Sequence, residues 1–159
     1  MTVISSVADT AALTLTVVAE FAASPQRVWG VWEDPRKLER WWGPPTYPAT
    51  FTRHDFVVGG ESRYYMTGPD GDRPHGYWRM ATMNEPNRLE FLNGLAGDDG
   101  EPMPDVEPMG AQVSFEPFTG GTRMTVLTTF VDEALMKKML DMGMAEGMNQ
   151  AISQIDPLL

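Results

Sequence analysis

The chain has 159 residues, enough for one domain with a real core. Apolar residues make up 42% and aromatics 10%, which excludes a chain disordered by composition, and no apolar run approaches the ~20 residues that span a bilayer. The 12 basic residues against 22 acidic ones leave a net charge of −10, and without a basic stripe this excludes nucleic-acid and anionic-membrane partners. There is no cysteine, hence no disulfide, thiolate nucleophile or cysteine-held metal. No basic segment leads into an apolar stretch at the N-terminus, so no secretory signal is read there and the cytoplasm is the expected location.

Residues 1–12 are small and polar and are expected to be a loose tail ahead of a single domain over 13–159. From Leu13 to Phe21, Leu13, Leu15, Val17, Ala19 and Phe21 alternate with Thr14, Thr16 and Glu20, the period of a half-buried strand. Ser24-Pro25 opens a helix as N-cap and first helical residue, with Val28, Trp29, Val31 and Trp32 on its apolar face. Asp34-Pro35 ends it, and a second short helix over Arg36–Trp42 stops at Gly43-Pro44-Pro45. Strands follow near Thr50–Phe56, Glu61–Thr67, Gly76–Asn84 and Arg88–Leu95, separated by the turn signals Val58-Gly59-Gly60, Pro69-Asp70-Gly71 and Glu85-Pro86-Asn87. An acidic, proline-rich loop spans Gly97 to Pro108, then two strands, Gly110–Glu116 and Thr122–Phe130, turn about Gly120-Gly121. Asp132 can cap a last helix that runs to about Asp156, with Met136, Leu140, Gly143, Gly147, Ala151 and Ile155 on one stripe.

The order is β-α-α-β-β-β-β-β-β-α. The strands lie too close in sequence for parallel crossovers, so the sheet is antiparallel. Its apolar face needs a cover, and the long amphipathic last helix supplies one. The fold class is therefore α+β, a curved sheet of about seven strands wrapped on a C-terminal helix.

Catalytic motifs are absent. His54 and His75 stand apart without a ligand-spaced partner, so no metal is expected, and the glycine pairs read as turns rather than phosphate loops. His54, Asp55 and Glu90 are candidates for a general acid or base, and strand alternation allows each to face solvent instead. No cofactor is expected.

Five motifs then carry a resemblance. Ser24-Pro25-Gln26-Arg27-Val28-Trp29-Gly30-Val31-Trp32-Glu33-Asp34-Pro35, continued by Leu38 and Arg40-Trp41-Trp42-Gly43-Pro44, is similar to the opening signature of the heat-shock-chaperone ATPase-activator homologues. Asp55 to Gly60, Met66-Thr67-Gly68-Pro69-Asp70-Gly71, Gly76-Tyr77-Trp78 with Glu85-Pro86-Asn87-Arg88-Leu89, and Gly147 to Leu159 follow in the family's order. The resemblance covers roughly residues 13 to 159 and implies the helix-grip fold of the START-related (SRPBCC) superfamily, whose members bind apolar or aromatic molecules between sheet and helix. Met148 stands where that family usually has tryptophan, and Met80 where many members carry an acid.

The candidate ligand-binding residues are Tyr64, Met66, Trp78, Met80 and Phe91 from the strands and Met136, Leu140, Gly143, Met144 and Gly147 from the last helix. Twelve methionines offer an adaptable lining. Gly143 and Gly147 each weaken a helix by ~1 kcal/mol, so a spatial reason is expected: close approach of the sheet, or a void. The leading expectation is an unidentified apolar, aromatic or lipid-like small molecule held without covalent chemistry. A cyclase- or hydrolase-like enzyme using the same cavity is the main alternative, and a chaperone partner docking on the acidic loop is a third. The chain is expected to be a monomer or a homodimer.

Overall fold

The computed structural model describes residues 2–159, and in it eight strands form one antiparallel sheet. They are β1 (Thr2–Asp9), β2 (Thr14–Phe21), β3 (Ala49–His54), β4 (Glu61–Met66), β5 (His75–Asn84), β6 (Arg88–Ala96), β7 (Met109–Phe118) and β8 (Gly121–Thr129). Their spatial order is β1-β2-β8-β7-β6-β5-β4-β3. Helices α1 (Pro25–Glu33) and α2 (Pro35–Trp41) follow β2, while α3 (Glu133–Asp141), α4 (Met144–Ile152) and a short 3-10 turn (Asp156–Leu158) end the described chain. The curved sheet with helices on one face is the helix-grip architecture. Among the described residues no helix is long and apolar enough to cross a membrane.

Two local expectations are corrected. The segment expected to be a loose tail is a strand, paired with β2 from Asp9↔Thr14 to Ser5↔Val18. Ile4 and Val7 remain exposed, so the strand lacks the buried alternation that betrays its neighbours. Ladder hydrogen bonds hold it, and its turn is set by Asp9, whose Oδ1 accepts from the amides of Ala11 and Ala12 at 3.0 and 3.1 Å.

The second correction concerns the last helix. Asp132 does cap it, accepting from the Leu135 amide at 2.8 Å, but the helix breaks at Met142-Gly143 instead of running on. Gly143 has φ of +88°, where side chains are strained, and its N–H returns to the Leu140 carbonyl at 3.0 Å. This is a glycine-terminated helix end followed at once by a new helix.

The core is the concave face. Leu15, Val17, Ala19 and Phe21 of β2 are buried beside Met124 and Val126 of β8, Val113 and Phe115 of β7, and Leu89 and Phe91 of β6. Helix α1 lays Val28, Trp29, Val31 and Trp32 onto this surface. The first corner helix starts as the sequence implies, Ser24 accepting from the Arg27 amide with Pro25 next in line; Asp34, read as its stop, also caps α2, accepting from the Arg36 amide with Pro35 next in line. The Trp41 indole then donates to the Val31 carbonyl at 2.9 Å and fixes the angle between the helices.

Strand β3 is an edge, and α2 completes its hydrogen bonding. The Phe51 amide donates to Glu39 Oε2 at 2.9 Å and its carbonyl accepts from Arg36 Nη2 at 3.3 Å. Glu39 and Arg36 are themselves paired at 3.1 Å. Two side chains thus stand in for a missing neighbour strand.

His54 makes the other tie between corner and sheet. Its Nε2 lies 2.9 Å from the Trp32 carbonyl and its Nδ1 2.7 Å from Ser62 Oγ. A carbonyl only accepts, so Nε2 carries the proton and Nδ1 accepts from the buried serine hydroxyl. The ring is held neutral, and burial, outweighing the Trp32 carbonyl and Asp55, pulls its pKa below the ordinary value.

Two outcomes follow. Glu39→Ala leaves the Phe51 amide without its acceptor and should cost about 1–3 kcal/mol in urea unfolding. The His54 contribution is full above the unfolded-state pKa and is lost as pH falls through the lowered folded value, because the unfolded chain then binds the extra proton. Thermal midpoints should therefore drop on acidification from pH near 7.5, and His54→Gln should flatten that part of the curve.

Candidate functional site

Between the sheet, the α1–α2 corner and the C-terminal helices lies a cavity of about 220 Å³. Its walls follow from the elements above. The corner contributes Trp32, Trp41, Trp42 and Pro44. The inward-facing positions of the sheet contribute Tyr64 and Met66 from β4, Phe91, Asn93 and Leu95 from β6, Met109 and Ala111 from β7, and Val126 and Thr128 from β8. The helical side brings Met139 from α3 and Met144, Gly147, Met148, Ala151 and Ile152 from α4. Gln154, just beyond α4, donates to the Gly43 carbonyl at 2.7 Å and ties the helical wall to the corner.

Five of the ten sequence candidates meet in this wall: Tyr64, Met66, Phe91, Met144 and Gly147. Trp78 is fully buried behind it, its ring 4.7 Å from Trp42 and 4.5 Å from Phe91 by centroid. Met80 is buried away from the cavity, its backbone bonded to Gly60. Met136 is in the core, Leu140 packs against the core, and Gly143 is exposed at the helix break. These last three were placed by one continuous helical stripe. Because the helix breaks at Gly143, the α3 stripe is not in phase with α4, and Met139 is the α3 residue that reaches the cavity.

Gly147 settles the choice between close approach and void. A Cβ built there would have no atom within 4 Å, and the residue lines the cavity. The missing side chain leaves open space. Its neighbour Met148, singled out as standing in place of tryptophan, is in the same wall.

Tyr64 is positioned from two sides. A Cβ on its cross-strand partner Gly76 would fall 2.4 Å from the phenol ring, so glycine there is what admits the ring. On the other side the ring stacks on Phe51, centroids 5.0 Å apart. The hydroxyl donates to Asn93 Oδ1 at 3.1 Å. Burial pushes the phenol pKa up to about 12, while the indole N–H groups of Trp42 and Trp78, close to its oxygen, pull the other way. Neither indole N–H reaches hydrogen-bond geometry with any acceptor.

The wall is otherwise apolar. Tyr64 is the one ionisable residue among those lining it. Of the acid–base candidates, His54 is spent on Trp32 and Ser62, Asp55 pairs with Arg53 at 2.6 Å and Glu90 with Arg88 at 3.4 Å, all outside the wall. Sequence reading missed Asn93 and Thr128, although Asn93 follows Leu89 and Phe91 in strict alternation and so had to face inward. Trp41 and Trp42 pack the corner and line the cavity at once.

Comparison with known proteins agrees with this fold. No curated protein matches the chain. A protein of Arthrobacter aurescens, solved by NMR, is 52% identical over 99% of this chain and 91% of its own, with a TM-score of 0.94. A crystal structure from Mycobacterium smegmatis is 43% identical over 99% and 96% of the two chains, with a TM-score of 0.91. The AHSA1 protein of Silicibacter pomeroyi, 20% identical over 91% and 95% with a TM-score of 0.72, shares the fold. Residues 22–159 match the model of the family described as activator of Hsp90 ATPase homolog 1-like protein, and the chain belongs to that family.

Proposed function

We propose that this protein binds a small apolar or aromatic molecule, without covalent chemistry, in the cavity between the sheet and the C-terminal helices. The observation that carries the reading is Gly147: a helix-interior glycine, unfavourable for the helix, that lines the cavity and has open space where a side chain would stand. The size supports a ring rather than a long lipid chain. An apolar void of about 150 Å³ takes up benzene, and drug-sized ligands need roughly 300 Å³ or more; about 220 Å³ lies between.

Binding is favoured over a cyclase- or hydrolase-like reaction. The one ionisable residue in the wall, Tyr64, is pushed up to about 12 and so stays a neutral phenol near pH 7. A general base working near neutrality has no candidate among the residues of the wall.

Native mass spectrometry of gently purified protein, compared with its denatured mass, is the direct test. Excess mass lost on denaturation and a neutral probe, N-phenylnaphthylamine, whose fluorescence rises with wild type and not with Gly147→Leu, are the expected results. A bare mass together with probe binding unchanged by Gly147→Leu would overturn the reading. Stability should move against binding. Gly147→Ala fills open space in a helix and should add up to about 1 kcal/mol, whereas Gly143→Ala, at positive φ, should cost about 1–2 kcal/mol. Urea unfolding of the two variants separates a glycine kept for space from one kept for backbone conformation.

A further inference from the structure

If the cavity takes up a molecule, as proposed above, its few polar atoms select which one. Tyr64 and Asn93 form the polar pair of the wall, joined at 3.1 Å. A phenol has one proton to give. The rings of Trp42 and Trp78 stand 6.0 and 6.3 Å from the Tyr64 ring by centroid, and their buried indole N–H groups find no acceptor. The hydroxyl gives its proton to Asn93 Oδ1. That choice orients the amide, because the end facing the tyrosine must be the acceptor.

The nitrogen end of Asn93 then turns away from Tyr64. Asn93 sits on the strand face it shares with Phe91 and Leu95, both in the wall, and is partly rather than fully buried. Among the described residues its side chain makes one hydrogen bond, the one from Tyr64. Two amide protons are therefore presented without a protein acceptor. Thr128, also in the wall, has a hydroxyl that can rotate to give or to accept, so it does not discriminate. Asn93 does. No lysine or arginine lines the cavity, so a carboxylate or phosphate there would lack a counter-charge.

We infer that the ligand is a neutral, ring-sized apolar molecule bearing one hydrogen-bond acceptor, a carbonyl oxygen foremost, which Asn93 Nδ2 holds. A plain hydrocarbon that covers the Asn93 amide strips it of water and offers no acceptor in return, which disfavours it.

The probes are indanone and indane, one ring skeleton with and without a carbonyl. Each is titrated into the wild-type protein and followed through the tryptophan indole and asparagine amide NMR signals. Indanone should bind about tenfold tighter, the worth of one hydrogen bond, and should move the Asn93 amide signals. Asn93→Leu should erase that preference, the two probes then binding with equal affinity. Equal affinities in wild type, or a preference kept by Asn93→Leu, would overturn this inference and leave the cavity reading standing. Failure of both probes to bind up to their solubility would overturn the cavity reading and this inference with it. The wild-type comparison stands on its own if Asn93→Leu fails to fold.

Discussion

Trp32 is the side chain through which the helical corner, the sheet and the cavity constrain one another. Its ring is fully buried, 4.7 Å from Trp41 and 6.0 Å from each of Trp42, Trp78 and Phe91 by centroid. The indole N–H points at the Met124 sulfur at 3.4 Å, and the backbone carbonyl is held by His54. Each aromatic pair adds about 0.5–1.5 kcal/mol beyond area burial, but geometry matters more than the sum. Bulky rings with two rotatable bonds, packed edge to face, have few alternative arrangements. The corner therefore sits at one height above the sheet, and the space beneath α4 is what that height leaves over.

The walls of that space differ in stiffness. The corner and sheet side is aromatic, with Trp32, Trp41, Trp42, Tyr64 and Phe91 locked by mutual contacts. Methionines fill in around it: Met139, Met144 and Met148 from the helices, Met66 and Met109 from the sheet. Unbranched thioethers adapt to an occupant at low strain. Interiors normally close such gaps. Here the rigid wall prevents collapse from one side, and Gly147 removes the side chain that would fill it from the other.

Much of the fold was legible because its elements carry strong local signals. Ser24-Pro25 placed the start of α1 and Asp34-Pro35 its end, and strict alternation in Leu15 to Phe21 placed β2. What escaped was structure held by backbone rather than burial. Strand β1 keeps Ile4 and Val7 in solvent, so no buried period exists to read, and only the Asp9 turn could have announced it. The break at Gly143 escaped for a related reason. Glycine lies at the boundary of two amphipathic stretches whose stripes nearly align, and a continuous helix fits the pattern as well. That phase error carried Met136, Leu140 and Gly143 into the candidate set. It did not touch Met144 and Gly147, which share a helix with the cavity. The polar member Asn93 was overlooked because the search followed apolar residues, although alternation alone put it on the inner face.

Charge and cavity work in one direction. The chain carries a net charge of −10, while the residues that line the cavity bring no formal charge near neutral pH. An anionic amphiphile would meet a repelling surface and then a wall without a cation. A cation would gain on approach but lose its hydration in the cavity, with aromatic faces as its main compensation. A neutral molecule meets neither penalty, and its apolar part gains from leaving water. If a molecule binds there, selectivity falls to the small polar contrast that remains, the Tyr64–Asn93 pair, where a single misplaced donor or acceptor is felt most because what surrounds it is mainly apolar.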